Sequence, residues 1–173
     1  KEVDTWYSNT LGKTSYDNKV LGGRFCSDSS GYKLDETSGF NVFASYDRLG
    51  QALYNYAKDN APTLKCPAAT ESYGGSYRLK AGLITADELV LAGENFGVIG
   101  NSYLNPGNSE MYYWTMTPAG FGNADAIVWC EFDVLAFDAD VYGNGGLRPV
   151  ISVATDNGFT SGDGTVENPY VLS

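Results

Sequence analysis

Histidine is absent from this sequence of 173 residues. The imidazole side chain is the commonest general base in enzymes and the commonest protein ligand of transition metals, so its absence removes several catalytic mechanisms and metal sites together. No apolar run approaches the roughly 20 residues that cross a bilayer. We therefore expect a globular chain that does not insert into a membrane and that holds no metal or other cofactor.

Positive charge is also scarce: 11 Lys and Arg residues stand against 21 Asp and Glu residues, which gives a net charge of −10. We interpret this charge as spread along the chain, because no acidic tail is present. It would repel phosphate backbones and anionic membrane surfaces, so nucleic acid is not expected as a partner. With 43% hydrophobic and 18% charged residues, the composition is typical of a folded protein, and the length suits one domain over residues 1–173.

Cysteine is limited to three residues. Cys26 in "RFCSDSS" and Cys66 in "TLKCPAAT" have similar loop-like surroundings, whereas Cys130 lies in a β-prone run. We predict one disulfide between Cys26 and Cys66, one free thiol, and an oxidising, extracellular location. The alternative is a cytosolic protein with three reduced cysteines. The chain starts at Lys1 without Met or a signal peptide, which is typical of a mature or trimmed fragment.

Apolar residues recur at helical spacing in two segments. In "SYDRLGQALYNYAKDNAP" they repeat every three or four positions, with Ser45 as a candidate N-cap and a proline after the end. In "TADELVLAG", Thr85 and Glu88 are predicted to form a capping box, and Gly93 to close the helix. The N-terminal third, including "VDTWYSNTLG", is interpreted as strand and loop, because glycines divide much of it into short pieces.

After Asn95 no helical spacing is present. Short β-prone runs at 111–116, 126–132 and 147–153 are separated by Gly, Asn, Asp and Pro. We therefore predict an α+β architecture, in which two helices pack on a small twisted antiparallel sheet with long loops.

Candidate catalytic groups are few, and none has the surroundings that catalysis needs. Cys130 is followed by two acidic residues within three positions, a setting that would raise a thiol pKa instead of lowering it. Asp87 and Glu88 point in different directions on a helix. Asp138 and Asp140 share one side of a strand or loop, but no apolar pocket is marked that would raise one of their pKa values. No glycine-rich segment has the spacing of a phosphate-binding loop. We expect that the protein is not an enzyme.

Two further features have a structural interpretation. Asp156, Asp163 and Glu167 are possible calcium ligands, yet their spacing matches no EF-hand loop, so turn formation is the preferred interpretation. Trp114 and Trp129 each lie in a β-prone run, where a large ring belongs more often to the core than to a ligand platform.

The segments "YYWTMTP", "AIVW", "GLRPVISV" and "GDGTVENPY" resemble, in this order, the C-terminal part of a family of exported bacterial surface proteins. The segment "GLITADELVLAG" and the surroundings of Cys26 and Cys66 resemble the same family, so the likeness covers most of the chain from about Phe25. More distantly, the Trp followed by Gly-Leu-Arg-Pro-Val is similar to C-type-lectin-fold domains. These domains include ligand-binding variable proteins diversified by retroelements and the formylglycine-generating enzyme.

The resemblance implies a C-type-lectin-like fold, with two helices beside a small sheet and a loop-rich face that binds ligands. In variable proteins of this fold, substitutions concentrate just before the Gly-Leu-Arg-Pro strand. By that likeness Arg148 and Pro149 belong to the scaffold, with the Arg148 donors on loop carbonyls, and the variable region covers about 119–145. The residues implied to be displayed for ligand binding are Ala119, Gly120, Phe121, Asn123, Asp125, Ile127, Cys130, Phe132, Leu135, Phe137, Asp138, Asp140, Tyr142 and Asn144.

The function implied is that of an exported or surface-displayed ligand-binding module, adhesin-like or receptor-binding, diversified by a retroelement. Its partner would be a protein or another cell-surface ligand, and the module would belong to a larger assembly such as a pilus or a phage virion. The Glu-Pro-Asn and Trp-Asn-Asp signatures of calcium-dependent lectins are absent, and the reactive cysteines of the formylglycine-generating enzyme have no counterpart at Cys130. Two alternatives stay open: an enzyme of the formylglycine-generating or glycosidase type, and a structural pilin or stalk domain.

Overall fold

A computed structural model of the protein describes most of the chain. The described residues are 1–31, 33–34, 41–49, 61–66, 72–73, 78–95, 104, 112–122, 126–131, 135–154, 158–165 and 167–172, with the main chain alone at 33–34, 47, 72–73, 126–131, 135–140 and 172. They form few helices and several small antiparallel sheets. This mixture agrees with the predicted α+β class.

Three α-helices are described, one more than predicted: α1 (Glu2–Asn9), α2 (Ala44–Leu49) and α3 (Ala86–Leu91). The prediction of strand and loop at the N-terminus was wrong there, because α1 occupies that segment. Glu2 and Asp4 in its first turn complement the positive end of the helix dipole. Val3 and Tyr7, four positions apart, pack into the core from one side of the helix. None of the described helices has the length and apolar composition needed to span a membrane.

Helix α2 begins at Ala44, one residue before the predicted cap. Ser45 therefore lies inside the helix, where it is fully buried, and its hydroxyl donates to the Pro118 carbonyl at 2.7 Å. This hydrogen bond ties α2 to a part of the chain 73 residues away. The remainder of the predicted helix, residues 50–60, lies outside the described residues.

Helix α3 confirms its predicted cap. The Thr85 hydroxyl accepts a hydrogen bond from the Glu88 amide at 3.1 Å, and the Glu88 carboxylate accepts one from the Thr85 amide at 2.8 Å. These two bonds satisfy amide groups at the start of the helix that have no partner within it. Gly93 follows the helix in the left-handed conformation, with a φ of 105°, which glycine adopts without steric cost.

Twelve strands are described, most of them two or three residues long. They are β1 (Val20–Leu21), β2 (Phe25–Cys26), β3 (Lys33–Leu34), β4 (Asn41–Val42), β5 (Ser72–Tyr73), β6 (Ala81–Leu83), β7 (Tyr113–Phe121), β8 (Ala126–Glu131), β9 (Leu135–Asp140), β10 (Pro149–Val153), β11 (Phe159–Ser161) and β12 (Val171–Leu172). The three predicted β-prone runs correspond to β7, β8 and β10, although β7 extends several residues further than predicted.

The strands form two larger sheets and two separate pairs. The five-stranded sheet has the order β3-β4-β7-β8-β9 and the three-stranded sheet has the order β1-β10-β6, while β2 pairs with β5 and β11 pairs with β12. All of these neighbours are antiparallel. The Met116 amide donates to the Ile84 carbonyl at 2.8 Å. The β6 end of the smaller sheet therefore lies beside β7 of the larger one.

Strand β7 turns one side toward the core of the protein and the other side partly toward solvent. Alternate side chains from Tyr113 to Ala119 are buried, and those between them are half-buried, as the two-residue period of a strand requires. The buried side packs against Leu49 of α2 and Leu89 of α3 to form one apolar core. A second core lies between α1, β1 and β6.

Candidate ligand-binding surface

Two of the residues expected to be displayed are buried. Ala119 has no exposed surface, and Gly120 is also buried, because β4 pairs with this part of β7. A Cβ atom at Gly120 would lie 2.7 Å from the carbonyl oxygen of Asn41, so a larger residue does not fit there. The expectation that Ala119 and Gly120 contact a ligand is therefore corrected, since both belong to the scaffold.

Phe121, the next residue of the expected set, is half-buried. Its ring packs on that of Phe43, with the centroids 5.5 Å apart. Its main chain pairs with Asn41 on one side and with Ala126 on the other. A residue held along both edges and on one face has a fixed position. Phe121 is thus suited to fix the margin of a binding surface.

Six residues of the expected set lie in two adjacent strands. These strands are β8 and β9, which run antiparallel with Ile127 opposite Asp140. The main chain thus brings the six positions into one two-stranded ribbon. Only the main chain is described in these two strands, so the side chains of the six residues and of Trp129 are not described. The positions are Ile127 and Cys130 in β8 and Leu135, Phe137, Asp138 and Asp140 in β9. Three further members of the set, Asn123, Asp125 and Phe132, lie outside the described residues.

Immediately after β9 the chain is exposed to solvent. Tyr142 is 76% exposed and Val141 is 45% exposed, and Gly143 and Asn144 are exposed as well. The expected exposure of Tyr142 and Asn144 is therefore confirmed. We call residues 141–144 the display turn.

Main-chain pairing holds the display turn at both ends. Before the turn, Asp140 pairs with Ile127 of β8. After it, the Gly146 amide donates to the Tyr112 carbonyl at 2.8 Å, and the Gly146 carbonyl accepts from the Trp114 amide at 3.1 Å. The turn is therefore exposed between two fixed points of the sheet.

Gly145 is the residue at which the display turn meets β7. A Cβ atom at this position would overlap the rings of Trp114 and Tyr112, so the close approach requires glycine. Those two rings pack edge to face, with centroids 5.2 Å apart. Trp114 was predicted to be a core residue, but it is half-buried and lies under the main chain of Gly145.

Arg148 fixes the chain that leaves the display turn. Its guanidinium donates a hydrogen bond to the Leu104 carbonyl and lies over the Tyr113 ring, 4.1 Å from the ring centroid. The expected use of an Arg148 donor on a carbonyl outside the strands is confirmed by this bond. Pro149 begins β10 and pairs with Leu83, which agrees with its expected place in the scaffold.

Cys26 and Cys66 form the predicted disulfide, with their Cα atoms 5.5 Å apart. The bond joins β2 to residues 61–66 and links positions 40 residues apart. A cross-link of this span stabilises the fold mainly by restricting the unfolded chain. Disulfides persist in oxidising compartments, so this bond is compatible with the expected extracellular location.

Beside the disulfide, Arg48 of α2 binds two buried carboxylates. Its Nε and Nη2 donate to the two Asp87 oxygens at 2.9 and 2.8 Å, and Nη2 also donates to Asp28 at 2.6 Å. The Asp87 and Asp28 side chains are only 5% and 7% exposed. Burial disfavours the charged guanidinium, but the hydrogen bonds and charges of Asp87 and Asp28 outweigh that effect and raise the pKa of Arg48.

This network, which the sequence did not predict, also engages Asp87, one of the acids considered for catalysis. Asp87 accepts a further hydrogen bond from the Thr63 amide at 2.8 Å, and the Glu88 carboxylate caps α3. A cleft beside the disulfide is lined by Arg24 and Lys65 together with these acids. Because both carboxylates are engaged within the protein, Asp87 and Glu88 do not form a free catalytic pair.

The calcium interpretation gains no support at Asp163. Its carboxylate accepts hydrogen bonds from the Thr165 amide at 3.0 Å and from the Thr165 hydroxyl at 2.8 Å, which is a turn motif. The amide bond first, and then the hydroxyl bond, lower the pKa of Asp163. Across the part of the chain that is described, no three potential metal ligands lie together, and Asp156 lies outside that part.

Charge is distributed unevenly along the chain, contrary to the expected even spread. Ten of the 11 Lys and Arg residues lie in residues 1–80, and none lies between Lys80 and Arg148. Strands β7, β8 and β9 and the display turn all belong to this cation-free segment. The segment contains nine acidic residues: Asp87, Glu88, Glu94, Glu110, Asp125, Glu131, Asp133, Asp138 and Asp140. This feature is visible in the sequence when charges are counted segment by segment, but not from the net charge of the whole chain.

Comparison of the chain with protein-family models, with curated protein sequences and with solved structures gave no significant match. The residues and the geometry described above are therefore the basis for inferring a function.

Proposed function

We propose that this protein is an exported ligand-binding domain of the C-type-lectin-like type, with the display turn at the centre of its binding surface. The observation that carries the proposal is that exposed side chains in the display turn lie next to main chain that is fixed by hydrogen bonds. Tyr142 is 76% exposed, whereas Gly146 makes two main-chain hydrogen bonds to the start of β7. Binding residues lie disproportionately on loops that a rigid scaffold positions.

The exposed residues have the chemistry of a recognition surface. A tyrosine side chain offers a large apolar ring and a hydroxyl group at a low cost in conformational entropy, and for this reason it is enriched in binding sites. Val141 adds apolar area beside Tyr142. The surrounding segment holds nine acidic residues and no Lys or Arg, which opposes polyanionic ligands. A protein or another cell-surface ligand is therefore the partner we propose.

We further propose that this surface is changed by substitution, as in the retroelement-diversified proteins that the sequence resembles. The geometry limits which positions are free to change. At Gly120 and at Gly145, the Cβ atom of any other residue would clash with neighbouring atoms. Ala119 is fully buried. The display turn carries the exposed side chains of Val141, Tyr142 and Asn144. Together with the ribbon of β8 and β9, it forms the part of the expected set that we retain.

The Cys26–Cys66 disulfide supports export, because such bonds persist outside the cytosol. We propose that the domain is carried on a larger surface assembly, such as a pilus, a cell-wall protein or a virion. The engagement of Asp87 and Glu88 in structural bonds is the reason to prefer binding over glycoside hydrolysis. In a purely structural pilin or stalk domain, the display turn would be an ordinary loop without a binding role.

Two display libraries test the proposal. One library randomises residues 141–144, and the matched control randomises residues 13–16, an exposed segment near the other end of the chain. Both are selected against the same panel of surface proteins, with binding to a conformation-specific antibody as the check on folding. Specific binders should come from the display-turn library. Binders from the control library alone, or from neither library while both stay folded, would contradict the proposal.

A further inference from the structure

Strand β9 forms one edge of the five-stranded sheet. It pairs with β8 along one side, and the described chain places no strand along the other. An edge strand presents main-chain N–H and C=O groups on which another chain can form an additional strand. With six residues, β9 has the common length of a strand. This edge is therefore long enough to pair with an extended segment.

Sheet edges are commonly protected by Lys or Pro, by a bulge or by charge. Strand β9 contains neither Lys nor Pro. Its register with β8 shifts once, opposite the Val128–Cys130 step, and bulges of this kind occur both at sheet edges and next to binding sites. The bulge shortens the continuous edge, so we expect modest affinity for a short strand.

The charge of this segment selects which chain can pair with it. Strand β9 carries Asp138 and Asp140, and the segment between Lys80 and Arg148 contains no cation. Like charges brought together oppose the pairing of two copies of the same edge, whereas opposite charges favour association and raise its rate. Two copies of this edge therefore repel each other, whereas a cationic strand is attracted to it.

The display turn continues directly from β9 and adds apolar contact area. Val141 and Tyr142 are exposed at the point where β9 ends. A segment that paired along the whole of β9 would end beside the point where these two residues follow the strand. Aliphatic residues between its cationic ones would therefore find apolar partners.

We infer that the ligand of this surface is an extended, cationic protein segment, which adds as a strand along β9 and contacts Val141 and Tyr142. This inference rests on the proposed function and names its partner class. It combines main-chain pairing, which supplies affinity in strand-addition complexes, with charge and apolar contacts that supply selectivity.

Three labelled peptides of about ten residues test the inference on the intact protein. The first alternates Lys and Val, the second alternates Glu and Val, and the third is the Lys-Val peptide with consecutive amides N-methylated, which blocks pairing along both of its edges. Fluorescence anisotropy measures Kd at about 0.01 M and about 0.15 M salt, where the Debye length is about 30 Å and about 8 Å. We expect the Lys-Val peptide to bind and to weaken at the higher salt concentration. The other two peptides should bind little or not at all.

Isosteric variants and hydrogen exchange locate the binding site. Asp138→Asn and Asp140→Asn should each weaken the Kd of the Lys-Val peptide by about threefold, the size of an exposed charge interaction. The matched control Glu167→Gln removes an exposed acid outside the surface and should leave the Kd unchanged. Amide exchange within β9 should slow when the Lys-Val peptide is bound.

Equal binding of the N-methylated peptide, or unchanged exchange in β9, would overturn strand addition. Failure of all three peptides to bind would also overturn the inference. The display libraries do not depend on these peptides. If the peptides fail and the display-turn library still yields binders, the partner class is wrong and the proposed function stands.

Discussion

The guanidinium group of Arg148 lies over the ring of Tyr113, 4.1 Å from its centroid. Tyr113 belongs to the core that also contains Leu49 of α2 and Leu89 of α3. The chain that leaves the display turn is therefore fastened to the apolar core of the protein. This attachment separates the turn, where side chains are exposed, from the residues on which stability depends.

Replacing Arg148 tests that attachment. Arg148→Ala removes a charged hydrogen bond to the Leu104 carbonyl and the contact with Tyr113, and should lower the free energy of unfolding by about 1–3 kcal/mol. Arg148→Lys should recover only part of the lost free energy of unfolding, because an ammonium group does not stack on a ring as a planar guanidinium does. Urea denaturation measures the effect, and Lys13→Ala on the exposed surface is the control. Equal stability of Arg148→Ala and the control would contradict this role.

The close approach of Gly145 to β7 leads to a second prediction. In Gly145→Ala the new methyl group would overlap the Trp114 and Tyr112 rings, so we expect a loss of about 1–3 kcal/mol and a change in tryptophan fluorescence. Gly158→Ala is the matched control, because a Cβ atom there meets nothing within 4 Å. If Gly145→Ala is as stable as Gly158→Ala, the turn is not held in the way described.

The buried charge network gives a third prediction. Arg48→Ala leaves Asp28 and Asp87 without their cation, and breaking a buried pair in this way costs about 3–5 kcal/mol. Combining Arg48→Met with Asp28→Asn and Asp87→Asn should recover part of that loss, since no unpaired charge then stays buried. Thermal and urea unfolding of both variants check the result. A triple variant no more stable than Arg48→Ala would show that packing, and not charge, holds this site.

Tyr7 gives the protein a stability that depends on pH in the alkaline range. Burial, followed by the hydrogen bond to Asp17 and the charge of Asp17, raises the pKa of Tyr7 from 10.0 to about 12. The folded state therefore holds the phenolic proton more tightly than the unfolded state. The stabilisation is present below pH 10 and is lost as the pH rises from about 10 to about 12. Denaturation of Tyr7→Phe across this range should show a smaller loss than the parent protein, and identical slopes would contradict the assignment.

The elements that the sequence predicted well are those set by neighbouring residues. The α3 cap depends on Thr85 and Glu88, three positions apart, and their side chains satisfy each other wherever the helix lies. The three β-prone runs were found for the same reason, since strand-forming residues follow one another. Helix α1 was missed because it is only eight residues long and its apolar residues Val3, Trp6 and Tyr7 cover little more than one helical turn.

The buried charge network and the fixed margin of the candidate surface depend on contacts between distant residues, which local patterns do not report. Asp28 and Asp87 lie 20 and 39 residues from Arg48, so no spacing rule connects them. Gly120 was counted as displayed, yet its burial results from pairing with β4, which lies far earlier in the chain. The exposure of Tyr142 was predicted from the resemblance, which implies that displayed residues lie just before the Gly-Leu-Arg-Pro strand.

The most direct test of the central claim is the sequence of this gene in closely related strains. The proposal of a changeable binding surface on a fixed base predicts that substitutions concentrate at residues 141–144 and at the expected positions of β8 and β9. Gly120, Gly145, Gly146 and Arg148 should remain unchanged in the same strains. Substitutions spread evenly over all exposed residues, or as frequent at Gly145 and Arg148 as at Tyr142, would contradict the claim.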